Sequence, residues 1–158
     1  EVLANSNATH REMGFASHTG NKQMNRSPMR MLRTVRYKYI LNLAPDELYN
    51  THMNLANDHD GGREYWPSWQ EMSFKDTHAA EVLWRYHHRP EEELYDLSND
   101  PWERVNLAQD EKYAELMAEF RRQMAMWRKQ QGDTKTGPEE DITTPRKPGE
   151  PPIAPYVF

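Results

Sequence analysis

Glu93-Leu94-Tyr95-Asp96-Leu97-Ser98-Asn99-Asp100-Pro101-Trp102-Glu103-Arg104-Val105-Asn106-Leu107-Ala108 reads as a strand, a hard corner and a link into a helix. Leu94, Tyr95 and Leu97 make a short apolar and aromatic run with strand character, and Asn99-Asp100-Pro101 is written in turn residues. Pro101 lacks an N–H and presets its own φ, so the ladder cannot continue past Asp100. Asn106-Leu107-Ala108 then delivers the chain to Asp110, whose carboxylate can accept from the first free N–H groups of a helix. Beyond it Tyr113, Leu116, Met117, Phe120, Met124 and Trp127 recur at the helical period, predicting a helix over residues 111–130 with Gly132 as its stop. One apolar stripe must cover something, and the stretch therefore predicts a sheet backed by a single helix.

Working upstream, Gly14-Phe15-Ala16-Ser17 looks like a short strand feeding a polar loop, residues 18–25. Residues 29–34 and 35–43 read as a hairpin, with Val35, Tyr37, Tyr39, Leu41 and Leu43 on one face and Arg36, Lys38 and Asn42 on the other. Pro45 ends it. Residues 46–66, with His52, His59, Asp60 and Gly61-Gly62, form a connection long enough to be a lid or an insertion. Residues 68–72 suggest a helical turn, and 77–86 a short helix with Ala80, Leu83 and Trp84 on one face, stopped at Arg89-Pro90. The expected fold class is α+β: about four antiparallel strands packed on one long C-terminal helix. Residues 1–133 form that unit, divided into strand and pocket loop 14–27, hairpin 29–43, insertion 46–90, strand and joint 93–108, and helix 111–130. Residues 134–158 form a Pro-rich extended tail, in which Ile153, Tyr156, Val157 and Phe158 favour partial docking.

The length of 158 residues allows one ordinary domain or the end of a larger one. With 36% hydrophobic residues and a mean hydropathy of −1.09, a large self-sufficient core is not expected, and the chain reads as a fragment. Its first residue is Glu rather than Met, which fits that expectation; residues 1–5 do not resemble a signal peptide, and no apolar run suits a membrane span. A formal charge of −5 argues against a dedicated nucleic-acid binder. Yet between Met13 and Pro45 there is no carboxylate, while Lys22, Arg26, Arg30, Arg33, Arg36 and Lys38 all fall there. Such a block suits an anionic small ligand, a buried acidic partner surface or a solvated face.

No cysteine is present, so neither disulfides nor a thiolate metal site is available. His87-His88 are adjacent and the other histidines scatter through loops; neighbouring side chains diverge, which weighs against a zinc site. Ser27-Pro28-Met29-Arg30 and Thr144-Pro145-Arg146 lack the spacing of a Cys/Ser-x-Pro-x-Arg nucleophile motif. The five Trp and nine Met are expected to serve mainly as sheet and helix packing.

The run Glu93-Leu94-Tyr95-Asp96-Leu97, followed by Asp100-Pro101, Glu103 and Asn106-Leu107-Ala108, resembles the C-terminal signature of the type I, formylglycine-dependent sulfatases. His18-Thr19-Gly20-Asn21-Lys22, Met24-Asn25, Pro28-Met29-Arg30, Arg33-Thr34 and residues 36–43 are similar to the heparan N-sulfatase (sulfamidase) branch, as is Arg85-Tyr86-His87-His88-Arg89-Pro90. Several motifs in order, over residues 9–132, are more specific than any one of them. The resemblance implies an alkaline-phosphatase-like α/β enzyme of which this is the C-terminal subdomain. It implies that calcium and formylglycine belong to a missing N-terminal domain of the same protein, where formylglycine attacks sulfur and calcium polarises the sulfate. No catalytic or metal residue is therefore expected here. What remains is recognition of a sulfated glycan, by His18, Thr19, Asn21 and Lys22 of the pocket loop, with Arg30 either binding substrate or pairing with an acidic residue of the missing domain. The joint is expected to hold that loop and to touch no substrate. A periplasmic, lysosomal or secreted location follows from the same resemblance. Two other readings stand beside it: a free-standing module binding anionic glycans or a protein, and a phosphohydrolase of the same superfamily.

Overall fold

The computed structural model describes residues 11–19, 27–55 and 65–136. Four antiparallel strands lie in chain order: β1 (Gly14–His18), β2 (Met29–Arg33), β3 (Tyr37–Asn42) and β4 (Glu92–Asp96). Register places Phe15 opposite Leu32, Leu32 opposite Tyr39, and Tyr39 opposite Leu94. Because side chains alternate along each strand, these four share one face, and that face carries the core. Leu32, Tyr39 and Leu94 pack there against Met117, Phe120 and Met124 of α4 (Ala114–Gln130). Phe15 stacks on Trp127 at 5.1 Å, and Tyr37 meets Phe120 edge-on. Each such buried side chain stabilises the sheet–helix layer by roughly 1.5–3 kcal/mol.

The helix ends follow their local chemistry. Asp110 accepts from the Lys112 N–H and caps a 3-10 turn, Glu111–Tyr113, which runs into α4. At the other end Gly132 takes φ +66, its N–H donating to the Lys129 carbonyl and that of Asp133 to the Arg128 carbonyl. This is a Schellman stop, and it aims Asp133 back at the sheet.

The connection between β3 and β4 contains three helices, α1 (His52–Leu55), α2 (Trp66–Ser73) and α3 (Thr77–His87). α2 is a two-turn helix rather than the single turn expected, and Trp66 is buried against Tyr86 and His87 of α3. Tyr86 also meets Thr51 and Asn54, and the Tyr49 N–H donates to the His87 carbonyl, so residues 49–55 rest on α3.

Three expectations change. Val35, expected on the apolar face of a strand, lies at the hairpin tip and is 95% exposed; the Thr34 N–H reaches the Tyr37 carbonyl there, and the turn leaves nothing for Val35 to pack on. On the face expected to be polar, Ile40 and Asn42 are buried, because the Arg89-Pro90 lead-in closes over it and Asn42 donates to the Pro90 carbonyl and to Glu93. Trp84, expected on the packed side of α3, points outward, and Tyr86 and His87 make the contacts. The predicted tail lies almost wholly outside the described residues, as do His59, Asp60, Gly61 and Gly62 of the insertion.

Candidate functional site

β1 ends at His18, and the loop carrying the sequence-predicted binding residues begins there. His18 is half-buried and Thr19 is exposed; Asn21 and Lys22 lie outside the described residues. Arg30 sits beneath this strand end, 2% exposed. Its Nε and Nη2 donate to the two carboxylate oxygens of Asp133 at 2.6 and 2.9 Å, and its Nη1 donates to the carbonyls of His18 and Met29 at 2.9 and 3.0 Å. Every nitrogen of the guanidinium is engaged. Of the two roles expected for Arg30, the geometry supplies an acidic partner, and it comes from this chain rather than from a missing domain. Arg128 donates to the same carboxylate at 2.9 Å. The Arg30 hydrogen bonds, against an opposing burial effect and with help from Arg128, hold the Asp133 carboxyl well below the usual carboxylate range. The stop of α4 is thereby locked to the end of β1 and the start of β2.

Other members of the basic block are matched in the same way. Arg36 forks onto Asp96 at 2.7 Å, and Lys38 meets Glu103 at 2.6 Å. The carboxylates that the stretch between Met13 and Pro45 lacks come from the strand, the joint and the helix stop. For Arg30, Arg36 and Lys38 the anion is internal, which corrects the reading of the block as one surface for an outside anion.

The joint is tied to β4. Asp100 accepts from the N–H groups of Arg104 and Val105, and Asp96 accepts from Ser98, Asn99 and Arg36. Asn106 Oδ1 accepts from the N–H groups of Leu94 and Ala108, and its Nδ2 donates to the Glu92 carbonyl. The Leu107 N–H donates to the Leu94 carbonyl. β4 is an edge strand, and this arrangement satisfies its outward-facing backbone.

Where α3, the Arg89-Pro90 lead-in and the joint meet, a cleft of about 610 Å³ opens. Its floor is buried: Glu93 accepts from Tyr95 Oη and from Asn42 Nδ2. Burial, reinforced by Glu93, raises the pKa of the Tyr95 hydroxyl and keeps it a donor. On the rim, Arg85 Nη2 donates to the Arg104 carbonyl at 2.6 Å, while Arg89 lies 4.7 Å above the Tyr49 ring, its Nε buried without a hydrogen-bond partner. Trp84, stacked on His88 at 4.5 Å, is 60% exposed, and Trp102 is 78% exposed. Packing among the described residues thus leaves most of these two tryptophans uncovered, whereas the half-exposed Trp69 packs on Tyr65 and Trp66, and sequence reasoning missed the cleft. The available signal was the pairing of Trp with Arg in Trp84-Arg85 and in Trp102-Glu103-Arg104, which Trp127-Arg128 of the covering helix shares.

Among the described residues no group of three or more His, Cys, Asp or Glu is arranged to hold a metal, and no helix is long and apolar enough to cross a membrane. The adjacent histidines do diverge: His87 Nδ1 faces the Tyr49 carbonyl and His88 Nδ1 the Trp84 carbonyl.

No family model matches this sequence. An ulvan-active sulfatase of Formosa agariphila is 30% identical over 118 residues, covering 72% of this chain and 19% of the relative. Human N-sulphoglucosamine sulphohydrolase is likewise 30% identical over 118 residues, covering 72% of this chain and 22% of the enzyme. The chain thus spans about a fifth of the length of the curated relatives it matches. A solved 2-O GAG sulfatase superposes with a TM-score of 0.46 at 22% identity, over 79% of this chain and 18% of that one.

Proposed function

We propose that this chain, whose homologues are sulfatases, is the C-terminal, substrate-recognition and structural part of a formylglycine-dependent sulfatase that removes sulfate esters or sulfamates from a sulfated glycan. The observation that carries this reading is the match along most of the chain to two sulfatases of different printed specificity, of which the matched residues make up 19% and 22%. The fit to the sulfamidase branch rests on the motifs around residues 18–43 and 85–90 and on the human N-sulphoglucosamine sulphohydrolase match.

The chain holds no Cys/Ser-x-Pro-x-Arg segment from which a formylglycine could come. No chemical step is therefore assigned to this chain. Its share is to present the loop that starts at His18. The Arg30–Asp133 lock fixes where that loop leaves the sheet, so His18, Thr19, Asn21 and Lys22 would meet substrate from a rigid base. A hydroxyl-rich, anionic sugar is matched by a lysine cation and by imidazole and amide hydrogen-bonding groups. Arg30, fully engaged, anchors rather than binds.

Lys22→Ala in the intact protein is expected to raise KM for a sulfated oligosaccharide about tenfold, the effect of ~1.4 kcal/mol of lost binding, with the melting temperature unchanged. Unchanged kinetics would remove Lys22 from the site. The sequence preceding Glu1 bears on the enzyme reading itself, which requires a Cys/Ser-x-Pro-x-Arg motif in the complete protein.

A further inference from the structure

We infer that the cleft between α3 and the joint binds a sulfated sugar unit, with Trp84 and Trp102 as stacking platforms and Arg85 and Arg104 as the cations that select the sulfate. The inference rests on the reading that the intact protein handles a sulfated glycan, and it adds a place on this chain whose lining includes none of His18, Thr19 or Arg30.

Two large indole faces stand in water on the rim of one concavity. Tryptophan left so exposed is unusual unless its face is used, and an apolar face beside polar groups suits the C–H side of a sugar ring. The volume lies in the range of small-ligand sites, roughly 300–1,000 Å³.

Charge gives the second half of the argument. Of the acids at the cleft, Glu103 is taken by Lys38, and Glu93 is buried under Tyr95 and Asn42 and lies 3.6 Å from Arg89. Among the described residues no carboxylate pairs with Arg85 or Arg104, which leaves two guanidiniums of uncompensated charge at the mouth. A planar guanidinium fork matches the oxygens of a sulfate group better than a point charge does.

The platform is also built in advance. Glu103 adopts φ 55, a left-handed conformation rare for a non-glycine residue, and Asp100 holds the turn by accepting from the N–H groups of Arg104 and Val105. Trp102 and Arg104 flank that strained residue, so their backbone is positioned before any ligand arrives, and less ordering is needed on binding.

The test is calorimetric titration of the intact protein with a heparin-derived hexasaccharide and with its chemically desulfated counterpart. The sulfated probe should bind at least tenfold more tightly than the desulfated one, and Trp102→Ala and Arg104→Gln should each raise its Kd about tenfold. Both side chains are exposed, and an unchanged melting curve for each variant confirms that the fold is intact. Equal affinity of the two variants and the parent for the sulfated probe overturns the proposal, as does equal binding of the sulfated and desulfated probes. Sulfate release from the same hexasaccharide is measured in parallel: no release by the parent counts against the sulfatase reading alone, while the titrations decide whether the cleft binds the sugar.

Discussion

Arg30 has every guanidinium nitrogen committed inside the fold, to a carboxylate 103 positions away in sequence and to the carbonyls of His18 and Met29 where β1 ends and β2 begins. Removing it would leave Asp133 with Arg128 and the Lys135 N–H, and the end of β1 without its anchor. Arg30→Ala is expected to lower the unfolding free energy by about 3 kcal/mol, the scale for breaking a buried ion pair. Arg30→Lys should restore less than half of that, since one ammonium cannot span two carboxylate oxygens and two carbonyls. Urea unfolding of the intact protein measures both, and a lysine variant as stable as the parent would show that charge alone suffices. At this scale the sequence was only partly legible. The basic block was plain in the composition, but which acid answers which base is decided by strand register and by where a helix stops. Spacing carries neither.

The joint shows what an element adds. Asn99-Asp100-Pro101 announced a corner, and a corner is found, but its use is to fold residues 106 and 107 back along the open edge of β4. Asn106→Ala removes three hydrogen bonds and leaves the Leu94 N–H in the sheet edge without its acceptor. A loss of roughly 1–3 kcal/mol is expected. Amide exchange at Leu94 should quicken along with it, whereas Asn106→Asp, which keeps the acceptor, should retain most of the Leu94 protection. If exchange at Leu94 is as slow in the alanine variant as in the parent, the edge is held by something other than Asn106. The covering helix was legible almost residue by residue, because a 3.6-residue stripe depends on nothing but local spacing. α3 was legible only in part: Ala80 and Leu83 are half-buried as its period predicts, but Trp84 is exposed and Tyr86 and His87 complete the inward face, since the partner surface is contributed by Tyr49, Thr51 and Trp66 across a connection the sequence leaves unpatterned.

For the whole molecule, carboxylates set the acid limit. Asp96 is lowered to about 2, chiefly by its hydrogen bond from Arg36; Asp133 is lowered by Arg30, and Glu92 by Arg121. These groups bind protons more weakly when folded than in the unfolded chain, where Asp and Glu titrate near ~3.9 and ~4.3. Their stabilisation is therefore complete above about pH 5 and is lost as pH falls through about 4 towards 2. Melting temperature should decline steadily over that window, and Asp133→Asn, less stable at neutral pH, should show a shallower decline; parallel curves for the two proteins would contradict this linkage. The sequence by itself determined the four strands, α3, the covering helix, their order and the α+β class, though not α1 or the length of α2, because helix and strand periods, caps, turns and prolines act over a few residues. Only the tertiary structure decided that Ile40 and Asn42 on the other face are buried too, that much of the basic block is neutralised from within, and that two tryptophans and two arginines share one cleft. Those outcomes depend on contacts between residues tens of positions apart, whose pairing is set by packing and register rather than by any local pattern.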